Sequence, residues 1–191
     1  MATVTWMEKT VNNQQLVGID DYGFLGLEAA RNEVRLCGSY NRLPSVIALS
    51  WQMKRDDWLT LLGENWSTCD NISEWWDDLL DTQFADLTES PLDFRHHMMT
   101  ADEGAALKAL PENVTIFRGC YADNKRGLSW TLDKATAAKF PTLHRYRQNG
   151  QPLLIRACVA RDEILALKLD RREAEVIARR PKIQAISHIK E

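Results

Sequence analysis

The chain has 191 residues, enough for one domain with or without an appended helical segment, and its 45% hydrophobic content suffices for a buried core. Nothing in the composition favours disorder. No apolar run is long enough to span a bilayer, and no charged segment followed by an apolar one opens the chain, so a cytoplasmic protein without a membrane partner is expected. The formal net charge of −3 conceals a division: residues 1–110 hold 8 Lys/Arg against 18 Asp/Glu, whereas residues 111–191 hold 16 against 9. Two explanations fit this split, attraction between the halves across an internal interface and a basic half that faces a phosphate-bearing ligand.

The first hundred residues read as helices. Residues 24–37 place Leu25, Ala29 and Leu36 among charged positions, with Gly38 as a stop. Residues 45–62 carry Val46, Leu49, Met53 and Trp58 at helical intervals and end at Gly63. Asn71-Ile72-Ser73-Glu74 has the pattern of a capping box ahead of Trp75, Trp76, Leu79 and Leu80. Thr100-Ala101-Asp102-Glu103 repeats that pattern before an Ala/Leu helix stopped by Pro111. Trp51, Trp58, Trp66, Trp75 and Trp76 concentrate in this half. A base-stacking platform is one use for them, but the surrounding charge is acidic and repels a phosphate backbone, which favours core packing.

Beyond Pro111 the period changes to two. Residues 114–117 read as a strand. Residues 128–132 place Leu128, Trp130 and Leu132 on one face and Ser129 and Thr131 on the other. Asp133 is the cap of a short helix over 134–140. Strands follow over 153–159 and 164–169. Residues 173–178 alternate again, with Glu173, Glu175 and Ile177 on one face, and 183–189 form a last strand. Helices followed by antiparallel strands make the chain α+β, and the two halves depend on each other because the β segment alone is small for a stable core.

The four cysteines, Cys37, Cys69, Cys120 and Cys158, match no metal-binding or redox spacing and read as buried free thiols. The histidines form no ligand set either, and no metal is expected. Chemistry is better sought in Arg118, in the pair Ser129 and Thr131, and in Glu173 and Glu175. A strand-end arginine offers a rigid fork of donors to phosphate, and Gly119 beside it lets a ligand approach the backbone; a surface ion pair is the ordinary alternative. The two hydroxyls either orient a neighbouring carboxylate or belong to a half-exposed strand. Two carboxylates on one strand face repel unless Arg171 and Arg172 compensate them. They are either a solvated acidic edge or a working pair, one stabilising a sugar cation and the other polarising a nucleophile.

Phe117-Arg118-Gly119, then Gly127-Leu128-Ser129-Trp130-Thr131 with its following helix, then Glu173-Ala174-Glu175-Val176-Ile177, resembles the Arg–Ser–Glu class of mono-ADP-ribosyltransferases, the branch similar to cholera toxin and the clostridial binary toxins. The resemblance covers residues 111–180. It implies a single ADP-ribosyltransferase-like domain over 1–191, with a helical segment 1–110 packed on a β-rich NAD-binding core 111–191, a mostly antiparallel split β-sandwich. It implies that Arg118 contacts the NAD phosphates, that Gly119 holds the nicotinamide amide, that Ser129 orients the catalytic Glu175 and that Thr131 supports its strand. Glu173 falls at the position that activates the acceptor, and a Glu there resembles enzymes that modify arginine. The middle residue Trp130 is bulkier than the class pattern, and the stretch from Asp170 to Glu173 is short for a substrate-recognition loop.

The function so implied is transfer of ADP-ribose from NAD to a macromolecular acceptor, a protein arginine or a nucleic acid. Toxins and phage–host conflict proteins are the usual setting, with an antitoxin or immunity protein as partner. Two rival readings are an NAD glycohydrolase, with water as acceptor, and a non-catalytic binding protein that retains the fold.

Overall fold

A computed structural model describes residues 18–144, 146–170 and 173–189. Among these residues the α-helices all precede the first strand except one, and six strands form a single antiparallel sheet. No helix among them is long and apolar enough to cross a membrane.

The first helix is shorter than the period suggests: α1 spans Leu27–Val34, and the segment before it turns through an isolated bridge between Ile19 and Leu25. The single helix expected over 45–62 is two. α2 (Ser39–Ala48) contains Pro44, and α3 (Arg55–Asn65) starts afresh after a 3-10 turn at Ser50–Gln52 and extended backbone at Met53 and Lys54. The break is held by side-chain capture of carbonyls: buried Gln83 donates from Nε2 to the Ser50 and Met53 oxygens, the latter at 3.2 Å. Trp58 then ties α3 back to α2 by donating to the Val46 oxygen at 2.8 Å. Gly63 is no stop. It lies inside α3, where a Cβ would collide with the Met98 carbonyl, so its role is close approach of two backbones.

Asn71 does not cap by side chain; it is left-handed at φ 59°, and a 3-10 stretch, Ile72–Trp75, precedes α4 (Trp76–Leu80). After α5 (Phe84–Glu89) and α6 (Pro91–Phe94), α7 (Ala101–Ala109) has the expected capping box. Glu103 N donates to Thr100 Oγ1 at 3.3 Å and Thr100 N to Glu103 Oε2 at 2.8 Å.

The strands are β1 (Asn113–Cys120), β2 (Ser129–Thr131), β3 (Leu153–Ala160), β4 (Ile164–Lys168), β5 (Glu175–Ala178) and β6 (Lys182–His188), in the order β4-β5-β2-β1-β3-β6. Helix α8 (Lys134–Lys139) follows β2 and is capped by Asp133, whose carboxylate accepts from Ala135 N and Thr136 N. The β1–β3 ladder runs over eight paired positions, but β1 and β2 pair only at Phe117↔Thr131. The sheet is thus two three-stranded halves joined at one rung. It also curls: Ile164, Leu167, Val176 and Ala178 from one half share a core with Val114, Ile116, Ile155 and Val159 from the other.

The opposite face of β4 and β5 meets the helices. Leu165, Ala166 and Ile177 pack with Leu43, Trp58, Leu62, Trp66 and Phe84 in a second core, which Leu128 joins. Leu128 therefore separates from Trp130, which sits in the core between the half-sheets, contrary to the shared face that simple alternation assigns them. Of the four thiols only Cys120 is fully buried; the others are half-exposed, and none is bonded to another.

Candidate active site

Glu175 opens β5 at a crossing of three strands, opposite Thr131 of β2 and opposite Lys168 of β4. Odd-numbered residues of β5 face the helical half, as the placement of Ile177 shows, and Glu175 meets that half directly. Trp66, wholly buried just after α3, donates from Nε1 to Glu175 Oε1 at 3.1 Å. Ser129 shares this face and acts on the same carboxylate, lowering its value. Burial is the leading influence on Glu175 and pushes its carboxyl above the ordinary value; the bonds from Ser129 and Trp66 oppose this, Glu173 adds to it and Lys168 counters it.

Trp66 was assigned to core packing on sequence grounds, and it does pack, stacked on Phe84 with ring centroids 6.0 Å apart. Its second role has no local signature, because its partner lies 109 residues away. The available clue is chemical: a tryptophan that is fully buried must place its N–H somewhere.

Glu173 is not where alternation puts it. Ala174 has φ 42°, a left-handed conformation unfavourable for a residue with a Cβ, and this turns the chain just before β5 begins. The same-face strand pair of Glu173 and Glu175 is therefore replaced by a turn residue next to a strand residue. Thr131 pins that turn, donating from Oγ1 to the Glu173 oxygen at 2.5 Å, while Leu132 N donates to the Ala174 oxygen at 3.2 Å. Thr131 thus supports the carboxylate-bearing segment itself as well as its own strand. Arg171 and Arg172, expected to compensate the two acids, lie outside the described residues.

Arg118 stands at the place where β1 and β2 part. Its Nε donates to the Asn124 oxygen at 3.2 Å, its Nη1 bonds the Ser129 oxygen, and its Nη2 lies against Gly127, where any Cβ would strike it. Much of the fork is thus spent on main-chain carbonyls, which makes Arg118 the brace between the half-sheets. Burial holds its guanidinium below the ordinary value, with the Cys120 thiol and the Glu175 carboxylate acting the other way.

Gly119 has a different reason from the one expected. A Cβ there would run into the Ala137 carbonyl of α8 and crowd Pro141, so the glycine admits a helix rather than a ligand.

The helical wall beside Glu175 carries further polar atoms. Cys69 is pushed up to about 12 by burial, with Asp70 and Glu175 adding and Arg42 opposing. Among the described residues Arg42 Nε and Ser67 Oγ are buried without a hydrogen-bond partner. Tyr146 reaches across from the β half to Asp70, with its hydroxyl 3.3 Å from Oδ1. The arrangement is a desolvated carboxylate that accepts from Trp66 with Ser129 on its face, a braced arginine at a strand split, and unfilled polar atoms on the helical wall.

On the far side of Lys168 lies a buried ion pair. Lys168 Nζ donates to Glu103 Oε2 at 2.8 Å and to the Met98 oxygen at 3.2 Å, while Leu169 N donates to Glu103 Oε1 at 3.0 Å. Burial alone would raise the Glu103 carboxyl; Lys168 and the Thr100 and Leu169 amides bring it below the ordinary value. The pair fixes β4 on α7 and so fixes the strand that flanks Glu175.

No family model, curated protein or solved structure matches this chain.

Proposed function

We propose that this chain transfers ADP-ribose from NAD to a macromolecular acceptor. The observation that carries the reading is the desolvated carboxylate of Glu175. It accepts from Trp66 on the face that Ser129 shares, beside the one-rung junction that Arg118 braces. The curled sheet of two half-sheets with helices on its outer face is in keeping with a split β-sandwich of the ADP-ribosyltransferase type.

In this mechanism the bond between the ribose and nicotinamide breaks and its electron pair leaves with nicotinamide. Glu175 accepts a hydrogen bond from the ribose hydroxyl and stabilises the positive charge developing on the sugar. Ser129 and Trp66 hold its carboxylate in one orientation, so little reorganisation accompanies the charge. The acceptor nucleophile then adds to the sugar carbon and gives up its proton to Glu173. Arg118 directs Nη2 at phosphate while its other donors keep the strands in place. Thr131 keeps Glu173 near the reacting carbon. The setting is a toxin or conflict effector paired with an antitoxin.

The turn position of Glu173 favours one second reading, an NAD glycohydrolase in which water is the nucleophile. Incubation with labelled NAD and a cell extract tests both. The transfer reading expects nicotinamide release that Glu175→Ala abolishes, with label in a macromolecule. Label in free ADP-ribose alone selects hydrolysis. Release equal in wild type and Glu175→Ala overturns both.

A further inference from the structure

Beside the strand junction, outside the Glu175 site, lies a hollow of about 430 Å³ with four cations and no carboxylate on its wall. The cations are Lys125 and Arg126, just before β2, and Arg179 and Arg180, just after β5. Among the described residues Lys125, Arg126 and Arg180 have no carboxylate within ion-pair distance. Arg179 donates to the Thr88 hydroxyl at 3.3 Å and lies over the Trp76 ring, 5.6 Å from its centroid. Trp76 and Trp130 form the aromatic part of the wall, and of the two Trp76 is the less buried.

We infer that this hollow seats a single-stranded nucleic acid as acceptor, with phosphates on the four cations and a base on Trp76. The inference rests on the transfer reading for the word acceptor. Charge comes first: four like charges with no carboxylate on the wall of the hollow repel one another, and a polyanion relieves them by releasing its own condensed cations. The aromatic wall distinguishes a nucleic acid from an acidic protein, because an unpaired base supplies the flat face that tryptophan and arginine stack on. A duplex keeps its bases paired and has none to give.

Position adds a second argument. Gly127 lines the hollow and also abuts the Arg118 guanidinium, with Ser129 two residues on. On the other side a chain of aromatic contacts runs from Trp76 to Phe84, 6.4 Å edge-on, then to Trp66, which holds Glu175. A strand in the hollow therefore lies next to the Arg118 brace and two ring contacts from the Trp66 that holds Glu175. Arg179 and Arg180 also border a second hollow, of about 520 Å³, that carries Glu89, Asp93, Asp162 and Glu163. Those acids repel phosphate and direct the strand toward Lys125 and Arg126.

The test is fluorescence anisotropy, without NAD, using fluorescein-labelled single-stranded RNA and DNA of mixed sequence and about 12 nucleotides. Binding is expected, with a log–log salt slope of about −0.7 for each phosphate engaged. Arg126→Glu/Arg180→Glu, both exposed positions, is expected to weaken it about ten-fold or more, and Lys134→Glu/Lys139→Glu, an equal charge change at two exposed positions of α8, by less than about two-fold. Thermal melting of each variant checks that the fold persists. Absence of binding overturns the inference, as does equal loss in both variants, a preference for duplex, or displacement of the strand by polyglutamate at equal charge. Nicotinamide release is read separately. A strand that binds without any NAD cleavage defeats the transfer reading and leaves a binding site, whereas cleavage without strand binding defeats only this inference.

Discussion

Trp66 Nε1 lies 3.1 Å from Glu175 Oε1, a hydrogen bond that joins the helical half to the first residue of β5. It makes the helices part of the site rather than packing around it. Trp66→Phe keeps the stack on Phe84 and removes the N–H. The expected result is a fall in nicotinamide release of about ten-fold or more for a stability loss of about 1 kcal/mol, read from turnover and urea unfolding. Equal turnover in the two proteins would remove Trp66 from the site.

Burial places the folded Glu175 carboxyl above its ordinary value of 4.5, so between those two values the native state binds the extra proton. The contribution of Glu175 to stability is therefore most favourable below the ordinary value and declines as pH rises through the folded one. Glu175→Gln, which still accepts from Trp66, is expected to stabilise the protein by about 1 kcal/mol at neutral pH while activity is lost. That gain should vanish near pH 4. Chemical denaturation at both pH values measures it.

Ala174 occupies left-handed backbone at φ 42° immediately before Glu175. Ala174→Gly relieves the steric cost but loosens the turn that carries Glu173. A stability change within about 1 kcal/mol is expected, together with a larger loss of transfer than of nicotinamide release. The ratio of incorporated label to free ADP-ribose reports it.

Lys168→Met leaves Glu103 charged, buried and without its cation, at an expected cost of about 3–5 kcal/mol. Glu103 is held below the ordinary carboxylate value by that cation and its two amide donors. Its contribution is therefore present above the unfolded value and is lost as pH falls through the folded one. The deficit of Lys168→Met should shrink under acid, seen as converging melting temperatures. Removing Lys168 also removes a charge that favours ionised Glu175, so the acidic limb of activity moves to higher pH.

Gly119→Ala should fail for a reason unrelated to ligand. Its Cβ would collide with the Ala137 carbonyl, and a loss of about 3 kcal/mol or more is expected by thermal melting.

Local chemistry was legible in the sequence where a few neighbouring residues decide the outcome. The Thr100/Glu103 box and the Asp133 cap form as their side chains dictate, and the strand period located β1 through β6 to within a few residues. What remained hidden depends on distant partners or on one dihedral angle. Gln83 splits a continuous helical period from 30 residues away by capturing the Met53 oxygen. Ala174 breaks an alternation that nothing in its identity forbids. Glycines mislead in a similar way: Gly63 and Gly119 both signal a close neighbour, and only the fold shows that each neighbour is a main-chain carbonyl.

The helical core takes in Leu128, Leu165, Ala166 and Ile177 from the strands, and the donor to Glu175 comes from the same helices. Cutting the chain near Pro111 therefore yields two pieces that each bare apolar surface and lack half the chemistry. On the proposed function they are expected to be inert when expressed apart and to regain NAD cleavage when brought together. The protein is in that sense a natural candidate for fragment complementation, in which NAD cleavage would report the meeting of whatever the two pieces are fused to.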